Sequence, residues 1–573
     1  MHLYRYCRKP SPFWPRFAML TLLAMLSACQ ANSGNQNSLQ HQALGHRGQD
    51  VIIHNARIYQ HPAASAVIVR DGKISQLTNE EQLQHSTIEH RIDANGQLLL
   101  PGFIDNHNHL GEGGEVFCLP NADQPLAQQT RLLQRCALEV DDGDWILGYG
   151  GALELEMEQP GQTPRQLLDR LFPHNPVVIM DFSSHAQFAN SRALAAAGFS
   201  AQSPDPQGGV LMRDNRGQLN GILLDNAGDI LMEKAVLSLP ERHSIFIDGI
   251  YYGLNQASKH GITTVGDGRT YWRRGMWQAW QTVANEQGLT VRVSLRPWIY
   301  PDLEARQQLT FLAQAYQPDL NQRLIVNQVK MYSDGVPEYG TAKVMQAYDF
   351  SWLTDYPNGL NYLSESAIRE WLSELEQLGY GAHIHAIGDA GIQESLNAIE
   401  QLRLQGSKLK YNLTHLFMMH PDDVPRFAEL DVDADIQLSE AAHTREQRAQ
   451  HITPYIGEQR ASQVLHTPVK ELQRSGANVV LSSDWTVNPI DPLQAISFAV
   501  EEQSLSIDQA IAAYTINAAS ALGLETITGT IEVGKSADLI LLNRDITRSS
   551  AAAIRAAQVS LTLLQGEIVF QKK

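Results

Sequence analysis

The strongest constraint in this chain is a rhythm. Between residue 101 and about residue 526, short apolar runs alternate with helical patterns. The runs include "LLLPGFID", "PVVIMDF", "ITTVGD", "VRVSLRPW", "LIVNQVKMYSDG", "GAHIHAIGD", "KYNLTHL", "ADIQLS" and "ANVVLSSD". Between them lie stretches such as "SESAIREWLSELEQLG" and "DAGIQESLNAIEQLRLQG". Repeated β-then-α units predict an α/β fold with a parallel sheet, open or closed into a barrel. Chemistry-capable side chains fall at the carboxyl ends of several runs, as at the active face of a (β/α)8 barrel. Residues from about 112 to 240 exceed what one βα loop needs and read as an inserted subdomain over that face.

The two ends have another texture. Residues 51–76 alternate apolar runs with turns, Asp71-Gly72 reading as a hairpin turn, and similar strands return in "GTIEVGKSADLILLNRD" and "SLTLLQGEIVFQKK". The economical inference is one small β domain built from residues 49–100 and 527–573, with the long middle inserted between them.

The amino terminus reads as a processing signal. Arg5, Arg8, Lys9 and Arg16 precede "FAMLTLLAML", which is too short to span a bilayer. "LSAC" then ends at Cys29 and resembles the bacterial lipobox, in which the cysteine is lipidated. Gln30 follows rather than an aspartate, which implies an outer-membrane lipoprotein facing the periplasm; an ordinary secretory leader is the alternative. Residues 29–48, rich in Gln, Asn, Ser and Gly, read as a tether. Beyond Cys7 in the leader, only Cys118 and Cys136 remain. In an oxidising compartment they are candidates for a disulfide, or for two free thiols. The formal charge of −18 argues against a nucleic-acid partner and leaves a small molecule as the expected one.

Ligand-type residues recur where the runs end. His107 and His109, two apart, share one face of an extended strand, so both imidazoles reach the same space. Lys330 ends "LIVNQVK", His385 lies in "GAHIHAIGD", His415 ends "NLTHL" and Asp484 ends "VVLSSD". One histidine at a strand end is usually a core or cap residue, Asp484 alone would suit a helix cap, and Lys330 alone an ion pair. Five strand ends closing on such residues are harder to attribute to chance. Imidazole and carboxylate suit zinc and similar divalent metals. A lysine buried beside two cations is driven neutral, and a neutral amine reacts with carbon dioxide to give a carbamate that bridges two ions.

The segments "PGFIDNHNHL", "VKMYSDG", "HAIGDAGI", "THLFMMHPDDVPRFAEL", "LSSDWTVNPIDPL" and "TGTIEVGKSADLILL" together resemble the metal-dependent amidohydrolase superfamily, most closely its YtcJ-type branch. "DWILGYG", "SSHAQFANSRALAAAG" and "DPQGGVLMRDNRGQLNGILLD" support the likeness, which runs from Val51 to Gln571. It implies a distorted TIM barrel, a composite β-sandwich and one or two divalent metals. By position it places His107 and His109 on a first metal and His385 and His415 on a second. Lys330 falls at the bridging carbamate and Asp484 at the metal-bound general base. The implied reaction is attack of metal-activated hydroxide on a carbonyl, with Asp484 shuttling the proton to the leaving group.

The chain also departs from that branch. "GALELEMEQ" follows "WILGYG" where a tryptophan-containing run is expected, and Trp485 stands beside the base where a smaller residue is usual. His185 falls where the family places an insert residue near the pocket, as a substrate contact or a structural hydrogen bond. His383 shares the face of His385 one layer deeper and is expected either to tune a ligand or to fill the barrel. The leading expectation is a hydrolase of non-peptide C–N bonds. Ester or lactone hydrolysis and deamination are alternatives on the same scaffold, and a non-catalytic metal- or solute-binding lipoprotein is the alternative of another class.

Overall fold

The computed structural model describes residues 50–112, 126–138, 140–152, 162–438, 444–502 and 504–572. Eight parallel strands form its centre: β1 (Phe103–Asn108), β2 (Ile262–Asp267), β3 (Arg292–Ser294), β4 (Gln328–Tyr332), β5 (Gly381–Ala386), β6 (Tyr411–His415), β7 (Val432–Gln437) and β8 (Val479–Ser482). β1–β3 belong to one ladder and β4–β8 to another. Two seams join them. Lys330 pairs with Trp298 just beyond β3, and Asn108 pairs with Trp485 just beyond β8. The strands thus close into a (β/α)8 barrel. All are buried on both faces, which is why they read as short apolar runs rather than as alternating strands.

The helices follow from local signals. Glu365–Leu378 is capped by the Ser364 hydroxyl, which accepts from the Ala367 amide, and ends at Gly379 with φ +83°. Its buried Ile368, Leu372 and Leu375 form one stripe facing the barrel.

"LLLPGFID" is not one strand. Leu98–Pro101 pairs antiparallel with Leu539–Leu542, while Phe103–Asn108 enters the barrel. Gly102 is the hand-over point: a Cβ there would lie 2.2 Å from the Thr263 hydroxyl. The sheet containing Leu98–Pro101 also takes Arg57–Ile58, Val559–Leu564 and Glu567–Gln571, so it is made from both ends of the chain. A second sheet, of Lys73–Thr78, Ala66–Arg70, Val51–His54 and Arg91–Asp93, shares a core with it through Val51, Val67, Leu99, Leu539 and Leu561.

"PVVIMDF" does not join the barrel. Val177–Asp181 sits in a separate five-stranded sheet with Ile146–Gly151, Ala186–Ala189, Leu219–Asp225 and Gly209–Arg213. Among the described residues no helix is long and apolar enough to cross a membrane. The leader, Cys29, the tether and Cys118 lie outside the described residues, as does the side chain of Cys136, so the disulfide expectation falls there too.

Candidate active site

The strand ends bring the ligand-type residues together at one mouth of the barrel. His107 lies in β1 and His109 just beyond it, with ring centroids 5.3 Å apart. The seam to β8 sets Asp484 beside them: its amide donates to the His107 carbonyl at 2.7 Å, and the His109 amide donates to the Trp485 carbonyl at 2.7 Å. One Asp484 oxygen, Oδ1, is therefore 2.9 Å from His109 Nε2 and 3.3 Å from His107 Nε2. These three groups lie close enough to share one cation.

His385 and His415 continue the row. Their rings are 4.5 Å apart, and His415 is 5.0 Å from His107. Lys330 is fully buried, with Nζ 5.3 Å from the Tyr332 ring centre. It does not end its strand as the apolar run suggested. Met331 and Tyr332 extend the ladder to Ile384 and His385, leaving Lys330 in mid-strand. His415 and Asp484 have φ of +80° and +55°, a costly conformation for residues with a Cβ, and here it occurs at two converging side chains.

One further ring nitrogen on each of His107, His385 and His415 is tied outward. His107 Nδ1 lies 2.9 Å from the Thr414 hydroxyl and 3.0 Å from His383 Nε2. His385 Nε2 is 3.2 Å from the Gly335 carbonyl, and His415 Nδ1 is 2.9 Å from Gln437 Oε1. Gln437 in turn donates to Thr414, Asp435 and Ser482. Such outer contacts fix tautomer and ring orientation around a metal. The inner side is short of partners: Lys330 Nζ and His385 Nδ1 are buried with no hydrogen bond among the described residues. Unpaired buried nitrogens cost free energy unless something coordinates them, so this donor set fits a divalent cation.

Charge states follow from burial. Desolvation and the neighbouring Lys330 and His383 press His107 well below the usual imidazole value; desolvation does the same to His385 and takes His415 down to about 3. Desolvation also pushes the Lys330 amine well below its usual value. Burial would disfavour the His109 cation, but Asp484 and Glu112 outweigh it and raise its pKa. Asp484 responds in the other sense: burial would raise its carboxyl, yet His109 and its neighbours hold it below the ordinary value. His109 aside, these are the neutral imidazoles and ionised carboxylate that bind metal.

Other residues of the site carry no sequence motif. Glu112 is 3.6 Å from His109 Nδ1 and paired with buried Arg269 at 3.1 Å, and Arg269 donates to the Tyr332 hydroxyl at 2.8 Å. The strand-end rule that singled out Asp484 also applies to Asp267 at the end of β2, which desolvation raises to about 7. His383, His107 and Asp435 form a deeper trio. In that trio the Asp435 carboxylate is already occupied, since Asn106 and Ser482 donate to it and the guanidinium of buried Arg296 donates to Asn106, while His383 Nδ1 has no hydrogen-bond partner among the described residues. The trio forms a polar floor beneath the mouth.

His185, from the insert, reaches the same mouth. Its ring stacks on Tyr332 and lies 5.0 Å from His385. Trp485 is half-buried, with its ring 6.1 Å from Tyr252.

Comparison with known proteins agrees with this architecture. The amidohydrolase family matches residues 91–570. The N-substituted formamide deformylase of Arthrobacter pascens is 25% identical over 550 residues, covering 91% of this chain and 99% of that protein. The YtcJ protein of Bacillus subtilis (strain 168) is 26% identical over 538 residues, covering 88% and 96%. An uncharacterized metal-dependent hydrolase from Pyrococcus horikoshii OT3 shares the fold, with a TM-score of 0.67 at 20% identity over 88% of this chain and 99% of that one. With a closed barrel, a row of imidazoles at its mouth and a family match over most of its length, this chain belongs to the amidohydrolase family.

Proposed function

We propose that the protein is a metal-dependent hydrolase that cleaves an amide-type C–N bond outside peptides. The observation that carries this is the Asp484 carboxylate held between the Nε2 atoms of His107 and His109, at 3.3 and 2.9 Å. In this reading His107, His109 and Asp484 would hold one cation. His385 and His415 would hold a second, with Lys330, as a carbamate, supplying an anionic ligand. Forming that carbamate adds the neutral Nζ to carbon dioxide with loss of one proton. Zinc suits the donor set. The bound ion supplies Lewis acidity and makes water acidic enough to react near neutral pH.

The chain's own residues supply the rest. Asp484, kept ionised, takes a proton at a carboxylate oxygen and delivers it to the leaving nitrogen. The hydrogen bond that its backbone amide donates to the His107 carbonyl keeps the carboxylate over the centre. His185 and Trp485 contact the substrate, supported by the place of His185 beside His385 and of Trp485 next to the base. The formamide deformylase that matches along nearly its whole length supports a C–N substrate. Export and lipid anchoring through Cys29 belong to the same proposal and rest on residues 1–29 alone.

The test joins metal analysis of the purified protein to a hydrolysis screen over formamides, N-acyl amino acids, lactams and esters. Turnover of an amide-type substrate with stoichiometric metal is expected. Turnover of esters or lactones alone would move the protein to the alternative chemistry. Metal binding without any turnover would leave the non-catalytic reading.

A further inference from the structure

The insert contributes a histidine–carboxylate pair, of which the reaction outlined above uses His185 only as an unspecified substrate contact and Asp225 not at all. His185 Nδ1 lies 2.6 Å from Asp225 Oδ1, and both residues are buried. The pair is fastened twice, since the Asp225 amide also donates to the His185 carbonyl at 2.9 Å. Asp181 holds the same turn by accepting the His185 amide, and accepts the Tyr339 hydroxyl with its other oxygen. Asp225 has φ +50° and ψ −126°, a strained backbone for a residue with a side chain. Its second oxygen, Oδ2, is buried without a partner among the described residues. A Cβ at Gly335 would fall 2.7 Å from that oxygen, and it is the Gly335 carbonyl that faces His385. Strain, an unpaired oxygen and a glycine cleared for the carboxylate all serve to hold one imidazole in place.

A carboxylate has no hydrogen to give, so Nδ1 is the donor, and the neutral ring presents a lone pair at Nε2. No described residue hydrogen-bonds that nitrogen. Successive ring contacts run from His185 to His385, His415 and His107, and Asp484 lies beside His107, at the other end of that series.

We propose that His185 accepts, at Nε2, the N–H of the amide being cleaved, and that Asp225 is the residue that positions it. The inference rests on the hydrolase reading and narrows its substrate class to amides that carry an N–H. It also assigns the geometry of the leaving group. When the carbonyl carbon becomes tetrahedral, the nitrogen regains its lone pair. With its N–H held on the His185 side, that lone pair faces Asp484, which carries the proton it must receive. Tertiary amides and esters offer no hydrogen at that position and leave a buried acceptor unpaired, the condition under which sites discriminate most strongly.

The test compares kcat/KM for a secondary formamide, its N-methyl counterpart and the matching ester. Wild-type, His185→Phe, His185→Gln and Asp225→Asn proteins are used, with metal content measured on each. We expect the wild type to favour the secondary formamide by about 100-fold or more. His185→Phe, which keeps a ring against Tyr332, should lose most of that preference by slowing the N–H substrate far more than the other two, with metal content unchanged. His185→Gln, whose side-chain oxygen can accept, should keep part of the preference, and Asp225→Asn should fall between. A wild type without the preference, a preference surviving in His185→Phe, or a loss of metal from that variant would each overturn the assignment. A wild type with metal but inactive on all three compounds would remove the hydrolase reading and this inference with it.

Discussion

Asp484 Oδ1 lies 2.9 Å from His109 Nε2 because the first and last strands of the barrel are neighbours across a seam. The contact joins residues far apart in the chain, and the backbone fixes it on both sides: the Asp484 amide donates to the His107 carbonyl in β1 and the His109 amide to the Trp485 carbonyl beyond β8. The site is therefore only as well formed as the closure of the barrel, and changes at the seam should act on the cation before they act on the fold.

Gly268, just beyond β2 on the other side of β1, constrains the same rings. A Cβ there would lie 2.7 Å from His109 Cε1 and 3.0 Å from His107 Cδ2, so the space beside both rings exists only because this residue has no side chain. Gly268→Ala should weaken metal binding about 10- to 100-fold, the scale on which orienting contacts act. Competition with a chelator measures it, and thermal unfolding of the metal-free protein should shift far less.

Lys330 is buried with an unpaired Nζ, a costly arrangement for an amine that serves only packing. Lys330→Ala should lower kcat/KM by about 100-fold or more if its carbamate joins two ions. Short carboxylic acids added to the assay should restore part of the rate. Wild-type protein stripped of metal and carbon dioxide should recover fully only when bicarbonate is returned with the metal. Recovery with metal alone would exclude the carbamate.

Arg292 of β3 and Asp538 of the terminal β domain form a fully buried ion pair at 2.5 Å. Burial alone would raise the Asp538 carboxyl, but the guanidinium and its hydrogen-bond donors hold it below the ordinary value. A carboxyl depressed on folding contributes stability above its unfolded pKa, near 3.9, and loses it as pH falls through the folded value. Asp538→Asn should therefore destabilise the protein by about 3–5 kcal/mol at pH 7, since Arg292 is left buried and unpaired. The gap to wild type should narrow below about pH 4, read as the difference in thermal midpoint between pH 7 and pH 3.

Much of this site was legible in the chain, for a reason that also marks its limit. His107, His109, His385, His415 and Asp484 stand at the ends of apolar runs, and strand alternation alone puts two of them on one face. Lys330 was found although its strand runs on past it, because the apolar run ended there only in composition. Glu112, Arg269, Gln437 and Asp225 were missed. Each is an ordinary polar residue whose role is set by a partner that only closure of the barrel or docking of the insert brings near. Asp225 had a readable signal, since it ends the buried strand Leu219–Asp225 as Asp484 follows β8. "PVVIMDF" was no different in texture from a barrel strand, because a strand buried in the insert's sheet and one buried in the barrel demand the same apolar residues.

Cellular location is open to direct measurement. Cys29→Ala should release the protein from the membrane fraction without altering the activity of the purified enzyme. Equal membrane association of the variant and the wild type would exclude lipid anchoring at Cys29.

The most direct test of the central claim is the turnover number of Asp484→Asn, measured with its metal content on the best substrate from the screen. Metal should be retained while kcat falls by about 100- to 10,000-fold, the range expected for losing a positioned proton carrier. A variant that keeps its metal and turns over at the wild-type rate would contradict that claim.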